Sequence, residues 1–474
     1  FRLIWKAKMF DYKDLNLKIG LEIHQQLSTK KLFCQCSSNF KEEKLETEFS
    51  RRLRAVAGEQ GYVDIASQFE EAKHREFIYH GYDDEYCLVD CDESPPYEIN
   101  RDALITALSV AKLFNLNISD KIIVMRKNIT DGSTCSSFQR TMLIGYESGN
   151  SFIETSLGKV RITSLCLEED ACKIEKVEEN KVYYSLSRQG IPLLEIRTEP
   201  DIKTPEHAKE TAEKLGLILR SFPNIKRGIG TIRQDVNLSI KNGARVEIKG
   251  FQELRVMPKI IDYEISRQVS LIKKKKKVEK EVRKANENGT TSFLRPLPGS
   301  ARMYPDTDLK QIIVTEELLS KIKIPELITD KIHDLQKKYK LSEELATELV
   351  KEKINFEDYT KRFKKISKGL LATILLTYTK EKKEHLEFIL DALNLEKITK
   401  DVVQDMLNEL KQGKKINLAK YKSISNTEIE KEIKKIVKGK KNLTVNAIMG
   451  ILMAKYRGKV DGKELIELIN KYKK

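Results

Sequence analysis

Residues 17–27 read LKIGLEIHQQL, and the unbroken alternation through them constrains the fold more than any other feature of the chain. Leu17, Ile19, Leu21 and Ile23 share one parity; Lys18, Gly20, Glu22, His24 and Gln26 share the other. Successive side chains of a β-strand point to opposite faces, so this segment buries an aliphatic face and presents Glu22 and His24 side by side on the other. The pattern returns in TIRQDVNLSI, where Arg233, Asp235, Asn237 and Ser239 oppose Val236, Leu238 and Ile240. It returns again in RVEIKG, with Arg245, Glu247 and Lys249 opposed by Val246 and Ile248. Any one such row also suits a solvated sheet face. Two further segments argue for a site. CLEEDACK sets Glu168, Glu169 and Asp170 after an apolar stretch, and IPLLEIRTEPDI sets Glu195 inside an apolar run, where an unpaired carboxylate is costly to bury. A metal ion would remove that cost. Carboxylates, an imidazole and guanidinium groups on one sheet face suit a metal-and-phosphate site.

The 474 residues are enough for two to four domains. Strand signals, glycines and most prolines fall between residue 11 and about 310, with helices such as TPEHAKETAEKLGLILRSF, N-capped by Thr204, among them. The class is α+β. Residues 1–10 read as an N-terminal extension without functional weight, and 11–310 as the catalytic domain. Within the latter, the lysine-rich stretch near 272–290 reads as an exposed connector. Residues 311–395 read as a helical domain and 396–474 as a small helical tail. In that tail a Ser425-x-x-Glu428 capping box opens a helix with Ile429, Ile433 and Ile436 on one face.

The net charge is +16, and the tail alone carries 20 Lys+Arg against 10 Asp+Glu. So localised an excess points to a polyanionic partner, most simply RNA. The longest apolar run, GLLATILL, is far too short to span a membrane, and FRLIWKAK is too short for a signal peptide. Seven cysteines, an odd number, fit a reducing compartment, so a cytoplasmic location is expected. Cys34 and Cys36, with Cys87 and Cys91, could form a four-thiolate zinc site, although neither spacing is the usual C-x-x-C; ordinary buried thiols are the simpler reading.

Several chemistries are excluded by what the sequence lacks. It has no P-loop, no dinucleotide-binding glycine pattern leading into a helix, no G-x-S-x-G elbow and no amidase signature. An enzyme of this composition works by positioning metal, phosphate and carboxylate.

IGLEIHQQL, LEEDACK, IPLLEIRTEPDI, IRQDVNLSI, RVEIKG and YPDTDL, in this order, resemble the B/E subunits of tRNA-dependent amidotransferases over nearly the whole chain. KLFCQCSSNF, RRLRAVAGE, DGSTCSSFQR and FLRPLPGSARMYPDTD bring it nearer the archaeal E type than the B type. The resemblance implies a "cradle" domain followed by a helical domain and a tRNA-contacting tail. It implies a subunit that binds Glu-tRNA(Gln), phosphorylates the γ-carboxyl of the attached glutamate with ATP and Mg²⁺, and lets ammonia displace phosphate to give Gln-tRNA(Gln). The ammonia would come from an asparaginase-like subunit, in a heterotetramer. A B-type role with an amidase partner, or a non-catalytic tRNA-binding module, are the alternatives.

By motif position, Glu22, His24, Glu168, Glu169 and Glu195 are the expected metal ligands, His24 being unusual for magnesium. Glu169, Glu195, Arg233 and Asp235 are the expected catalytic residues, and Arg126, Lys127, Arg188 and Asn237 the expected contacts to nucleotide or carboxylate. The chain departs from the E type in lacking the usual domain inserted near 272–290. It also carries Cys172, Thr134 and Cys135 where that type has a small residue, Asn and Thr.

Overall fold

β1 (Lys18–Gln26) forms where the alternation requires it, with Leu17, Ile19, Leu21 and Ile23 buried in the core and Glu22 and His24 on the opposite face. The computed structural model describes residues 10–474 except positions 59, 252, 300–302, 379–381, 413, 415–420, 422–425, 440–442, 457–461 and 473–474. β1 lies centrally in a twelve-stranded sheet. The other strands of its main path are β2 (Met125–Asn128), β3 (Phe138–Tyr146), β4 (Gly158–Glu169), β5 (Pro192–Thr198), β6 (Ile232–Ser239), β7 (Val246–Lys249), β8 (Glu281–Ala285), β9 (Thr291–Pro296) and β10 (Met303–Pro305). Their order is β9-β8-β7-β6-β1-β5-β4-β3-β2-β10. Neighbours are antiparallel except β7 and β8, which are parallel.

A parallel pair needs a crossover, and α4 (Met257–Lys273) supplies it. The stretch near 272–290 is therefore not a solvated connector throughout. Val282 and Ala285 of β8 are buried, while the Lys273–Lys277 turn and Glu279, Lys280, Lys284, Glu287 and Asn288 are exposed.

α1 (Ile65–Glu71) is the first helix in the chain, and one face of the sheet is covered by α2 (Arg101–Leu113), α3 (Pro205–Leu219) and α4. α3 begins as the sequence predicts: the Thr204 side chain accepts from the His207 N–H, Pro205 starts the helix, and Ala208, Ala212, Leu215 and Leu219 are buried at helical spacing. Each aliphatic side chain buried between helices and sheet contributes about 1.5–3 kcal/mol. The opposite face of the sheet is polar and carries the site.

A separate four-stranded sheet orders Lys173–Val177, Lys181–Ser185, Glu76–Tyr82 and Leu45–Arg51. Its core stacks Tyr79 on Tyr184 and buries Cys91, Cys135 and Cys172. The two departing cysteines thus share one small core, where Cys135 N–H and Cys172 Sγ–H both donate to Gln189 Oε1 at 3.0 Å.

The chain forms two compact units, Phe1–Leu327 and Ile328–Lys474. The first extends past residue 310 because Ile312–Ile313 pair with Lys121–Ile122 and Val314 and Ile322 enter the core. The second unit is helical. Its helix Lys383–Asn394 gives Leu386 and Leu390 to one cluster and Ile389 and Ala392 to the next, so no boundary falls at 395/396. A separate core of Ile429, Ile433, Ile448, Leu452, Leu465 and Ile469 begins with the helix Asn426–Gly439. Ser425, the expected cap of that helix, lies outside the described residues. Among the described residues no helix is long and apolar enough to cross a membrane.

Candidate active site

Strand register assembles the site. Glu22 stands opposite Asp235 on one side and Arg197 on the other; His24 stands opposite Arg233 and Glu195. Glu195 in turn faces Cys166, Glu168 faces Thr141, and Asn237 faces Glu247. These rows lie on the polar face and line a cavity of about 1030 Å³.

At its centre, His24 Nε2 lies 3.2 Å from Glu195 Oε2. Glu195 is buried, which opposes its ionisation. Lys127 at 3.9 Å, the His24 hydrogen bond and Arg197 overcome that and hold its carboxyl well below the usual range. Arg197 Nη2 stands 2.7 Å from Glu195 Oε1, close enough for an ion pair but off the line of a hydrogen bond. Glu22 behaves in the opposite way. Burial and the nearby charges of Glu195 and Glu247 push its carboxyl up, against Arg197 and Lys249. Burial disfavours the charged imidazole of His24, but its bond to Glu195 raises it above its ordinary value.

Donor atoms of Glu22, His24 and Glu195 lie within 4.8 Å of one another, and so do those of Glu22, Asp235 and Glu247. The first set offers two carboxylates and an imidazole, the second oxygen alone. The donor set could hold a hard divalent cation, whose charge would offset the burial and the neighbouring carboxylates that raise Glu22; His24 would then act through water or as an orienting neighbour. In the second set Lys249 already serves as a cation, 2.6 Å from Asp235 and 2.7 Å from Glu247.

The wall beyond Glu195 is a closed network. Lys127 Nζ donates to Glu168 Oε1 at 2.6 Å, the Thr141 hydroxyl to the same oxygen at 2.7 Å, and Gln139 Nε2 to Oε2 at 3.0 Å. Glu168 accepts three hydrogen bonds in this network and joins neither metal-ligand set. It holds Lys127 at the wall, and the ligand role expected of it finds no geometric support.

Glu169 points elsewhere. Being next to Glu168 on a strand, it faces away from the cavity and lies against Arg140, whose N–H donates to Oε2 at 3.2 Å. Arg126 is likewise not at the cavity; Asp306 and Asp308 hold it, at 3.0 and 2.7 Å. The expected metal or catalytic role of Glu169 and the expected phosphate contact of Arg126 find no geometric support.

Arg233, Asp235, Asn237, Arg188 and Lys127 do line the cavity. Arg233 Nη2 pairs with Asp170 Oδ1 at 2.7 Å, while Arg188 donates to the carbonyls of Ala171 and Cys172. Asn237 reaches Glu22 at 3.4 Å.

Among the cavity residues given no site role from sequence are Asp170, Arg197, Glu247 and Lys249. Asp170 is buried, which by itself would raise its carboxyl, but Arg233 and Arg188 hold it below the usual range. The signal for Glu247 and Lys249 was present in the charged row of RVEIKG, and that for Asp170 in the third acid of LEED.

The thiols form a second cluster. Cys34, Cys36, Cys87 and Asp90 bring ligand atoms within 4.8 Å of one another, a zinc-type donor set whose fourth member is a carboxylate. Cys91, the partner expected from sequence, is instead buried in the core of the small sheet. Asp90 is shared with Lys31 Nζ at 3.0 Å. Burial and Cys87, against the attraction of Lys31, push its carboxyl up to about 6.

Comparison with known proteins accords with this face. The GatB/GatE catalytic domain matches residues 17–320, well over half of the chain. The E-type subunit of the glutamyl-tRNA(Gln) amidotransferase of Methanococcus maripaludis is 35% identical over 620 aligned residues, covering 96% of this chain and 97% of the relative. The E-type subunits of the enzymes of the same name from Methanocaldococcus jannaschii and Archaeoglobus fulgidus are each 34% identical, covering 97% and 98% of this chain and 99% of the relative in both cases. The aligned length exceeds the 474 residues present, so a substantial part of the relatives has no counterpart here, in keeping with a missing inserted domain. With the matched domain spanning every strand of the polar face and the likeness running almost end to end, the chain belongs to the GatB/GatE family of tRNA-dependent amidotransferase subunits.

Proposed function

We propose that this chain activates and amidates the glutamate of Glu-tRNA(Gln), using ATP and ammonia from a partner subunit. The observation that carries this reading is the convergence of Glu22, His24 and Glu195 beside Lys127, Arg197 and Arg233 in one cavity large enough for a nucleotide and an aminoacyl end. A γ-carboxylate oxygen attacks the γ-phosphorus of ATP and ADP leaves; ammonia then attacks the acyl carbon of the acyl phosphate and inorganic phosphate leaves. Both substrates of the first step are anions, so cations must offset their repulsion. Mg²⁺ held by Glu22 and Glu195 would supply part of that charge. Arg233 and Arg197 supply fixed positive charge, Asp235 and Asn237 orient what Glu22 faces, and Lys127 is held at the cavity wall by Glu168.

The ammonia must come from elsewhere. The thiol on the site's face, Cys166, is pushed up to about 12 by burial and by Glu195 and Glu168, so it stays protonated and is a poor nucleophile for releasing ammonia from an amide. A separate ammonia-producing subunit of asparaginase type, in a heterotetramer, fits both that chemistry and the word "subunit" in the relatives' names.

The test is ADP formation with Glu-tRNA(Gln) by the chain with its partner. Glu22→Gln and Glu195→Gln should each lower it at least about 10³-fold, the scale for losing a transition-state electrostatic contact, while tRNA affinity stays within about twofold. Retained ADP formation in both variants would leave a tRNA-binding module without catalysis.

A further inference from the structure

A second cavity, of about 820 Å³, opens where the start of β1 meets the β6–β7 turn and the α4–β8 turn. Six of its lining residues are cations: Lys18, Lys241, Arg245, Lys276, Lys277 and Lys280; Glu279 is its single acid. All six are exposed, and only Lys277 is ion-paired with a described residue, at 3.0 Å from Glu279. On the active-site part of this sheet, Lys249, Arg233 and Arg197 each sit against a carboxylate. Five unmatched cations from three separate segments, gathered in one concavity, repel one another and concentrate a positive field there.

The position of this groove says what it takes. Lys18, Ser239 and Arg245 line both this cavity and the active-site cavity, so the two adjoin. Lys18 shares the polar face of β1 with Glu22, four residues on, roughly 13 Å away at 3.3 Å per residue. An aminoacylated RNA carries its reacting group on the terminal ribose, and its nearest charges are the phosphates immediately before that ribose. A polyanion lying across Lys18, Lys241 and Arg245 would bring its end to Glu22.

We infer that this groove binds the backbone phosphates of the single-stranded 3′ end of the RNA substrate, with the lysines of the α4–β8 turn as its outer wall. The inference rests on the reading that the substrate is aminoacyl-tRNA.

The test uses the full chain and two RNAs: a minihelix of the tRNA(Gln) acceptor stem with its 3′ single strand, and the same stem ending blunt. Affinity is read by fluorescence anisotropy between about 50 and 200 mM salt. The variants are Lys276→Gln/Lys277→Gln/Lys280→Gln and, as an independent second set, Lys241→Gln/Arg245→Gln; thermal melts report their folding. Each set should weaken minihelix binding about tenfold at low salt. Each should also lower the slope of log K against log salt by about 0.7 for every phosphate no longer neutralised, the single-strand value. Binding of the blunt stem should be unaffected.

Wild-type affinity and slope in both sets would overturn the inference. So would an equal loss with the blunt stem, which places the binding on duplex, or displacement of the minihelix by phosphatidylserine vesicles at equal charge, which marks an unspecific basic surface. ADP formation by the wild-type chain and partner separates the two levels. If it occurs and the variants bind normally, only the groove fails; if it does not occur, the underlying reading fails first.

Discussion

Glu195 and Glu22 share one pocket, yet their surroundings drive them apart. Glu195 has Lys127, His24 and Arg197 around it and stays ionised; Glu22 is pushed toward neutrality by burial and by two other carboxylates. Because the folded value of Glu195 is depressed, its contribution to stability is present above the ordinary carboxylate range and is lost as pH falls through that depressed value. His24 is raised, so its contribution is present below its ordinary value and is lost as pH rises through the folded one. Glu195→Gln should therefore move the His24 titration midpoint downward in an NMR titration and cost about 3–5 kcal/mol at neutral pH, as expected when a buried charge cluster loses one member. An unmoved midpoint would mean that the 3.2 Å contact carries no charge.

Glu168 and Glu169 make the complementary case. Glu168→Gln leaves Lys127 without its closest acid and should abolish ADP formation. Glu169→Gln touches only Arg140 on the far side, which keeps Asp306, and should cost about 1–3 kcal/mol in a melt with ADP formation largely retained. In CLEEDACK the acids occupy both parities, so the alternation rule could not say which of them faces the site.

At the level of elements, legibility followed the strength of local pattern. β1, β6 and β7 could be read because each alternates cleanly against an aliphatic row, and α3 because its cap and its stripe agree. β8 could not. Its sequence, EVRKA, follows a lysine run, and its two buried apolar residues, Val282 and Ala285, fall on opposite parities and mark no single face. Its place in the sheet depends on parallel pairing with β7 across the α4 crossover, a nonlocal fact. Val282→Ala should thus lower stability by about 2 kcal/mol, the scale for deleting buried methyls, whereas Lys275→Ala in the neighbouring turn should stay within about 0.5 kcal/mol. Equal and negligible shifts in the two melts would restore the connector reading. The site's Asp170–Arg233 pair was hidden for the same reason: its partners are 63 residues apart and meet only through sheet order.

For the chain as a whole, the remaining question is what the C-terminal charge does. Residues 426–474 carry 13 Lys+Arg against 6 Asp+Glu, and their helices close around a core of their own, Ile429, Ile433, Ile448, Leu452, Leu465 and Ile469. A segment with a self-contained core can be removed without exposing another unit's apolar surface. Deleting residues 426–474 should therefore leave the melting transition of the remainder in place. If the charge serves RNA, the deletion raises KM for Glu-tRNA(Gln), leaves kcat nearly unchanged, and flattens the salt dependence of tRNA affinity, because fewer counterions are released on binding. A contact made equally in ground and transition states can change only KM, so a fall in kcat would place these helices in the chemistry, and an unchanged affinity at moderate salt would reduce the excess charge to solvation alone.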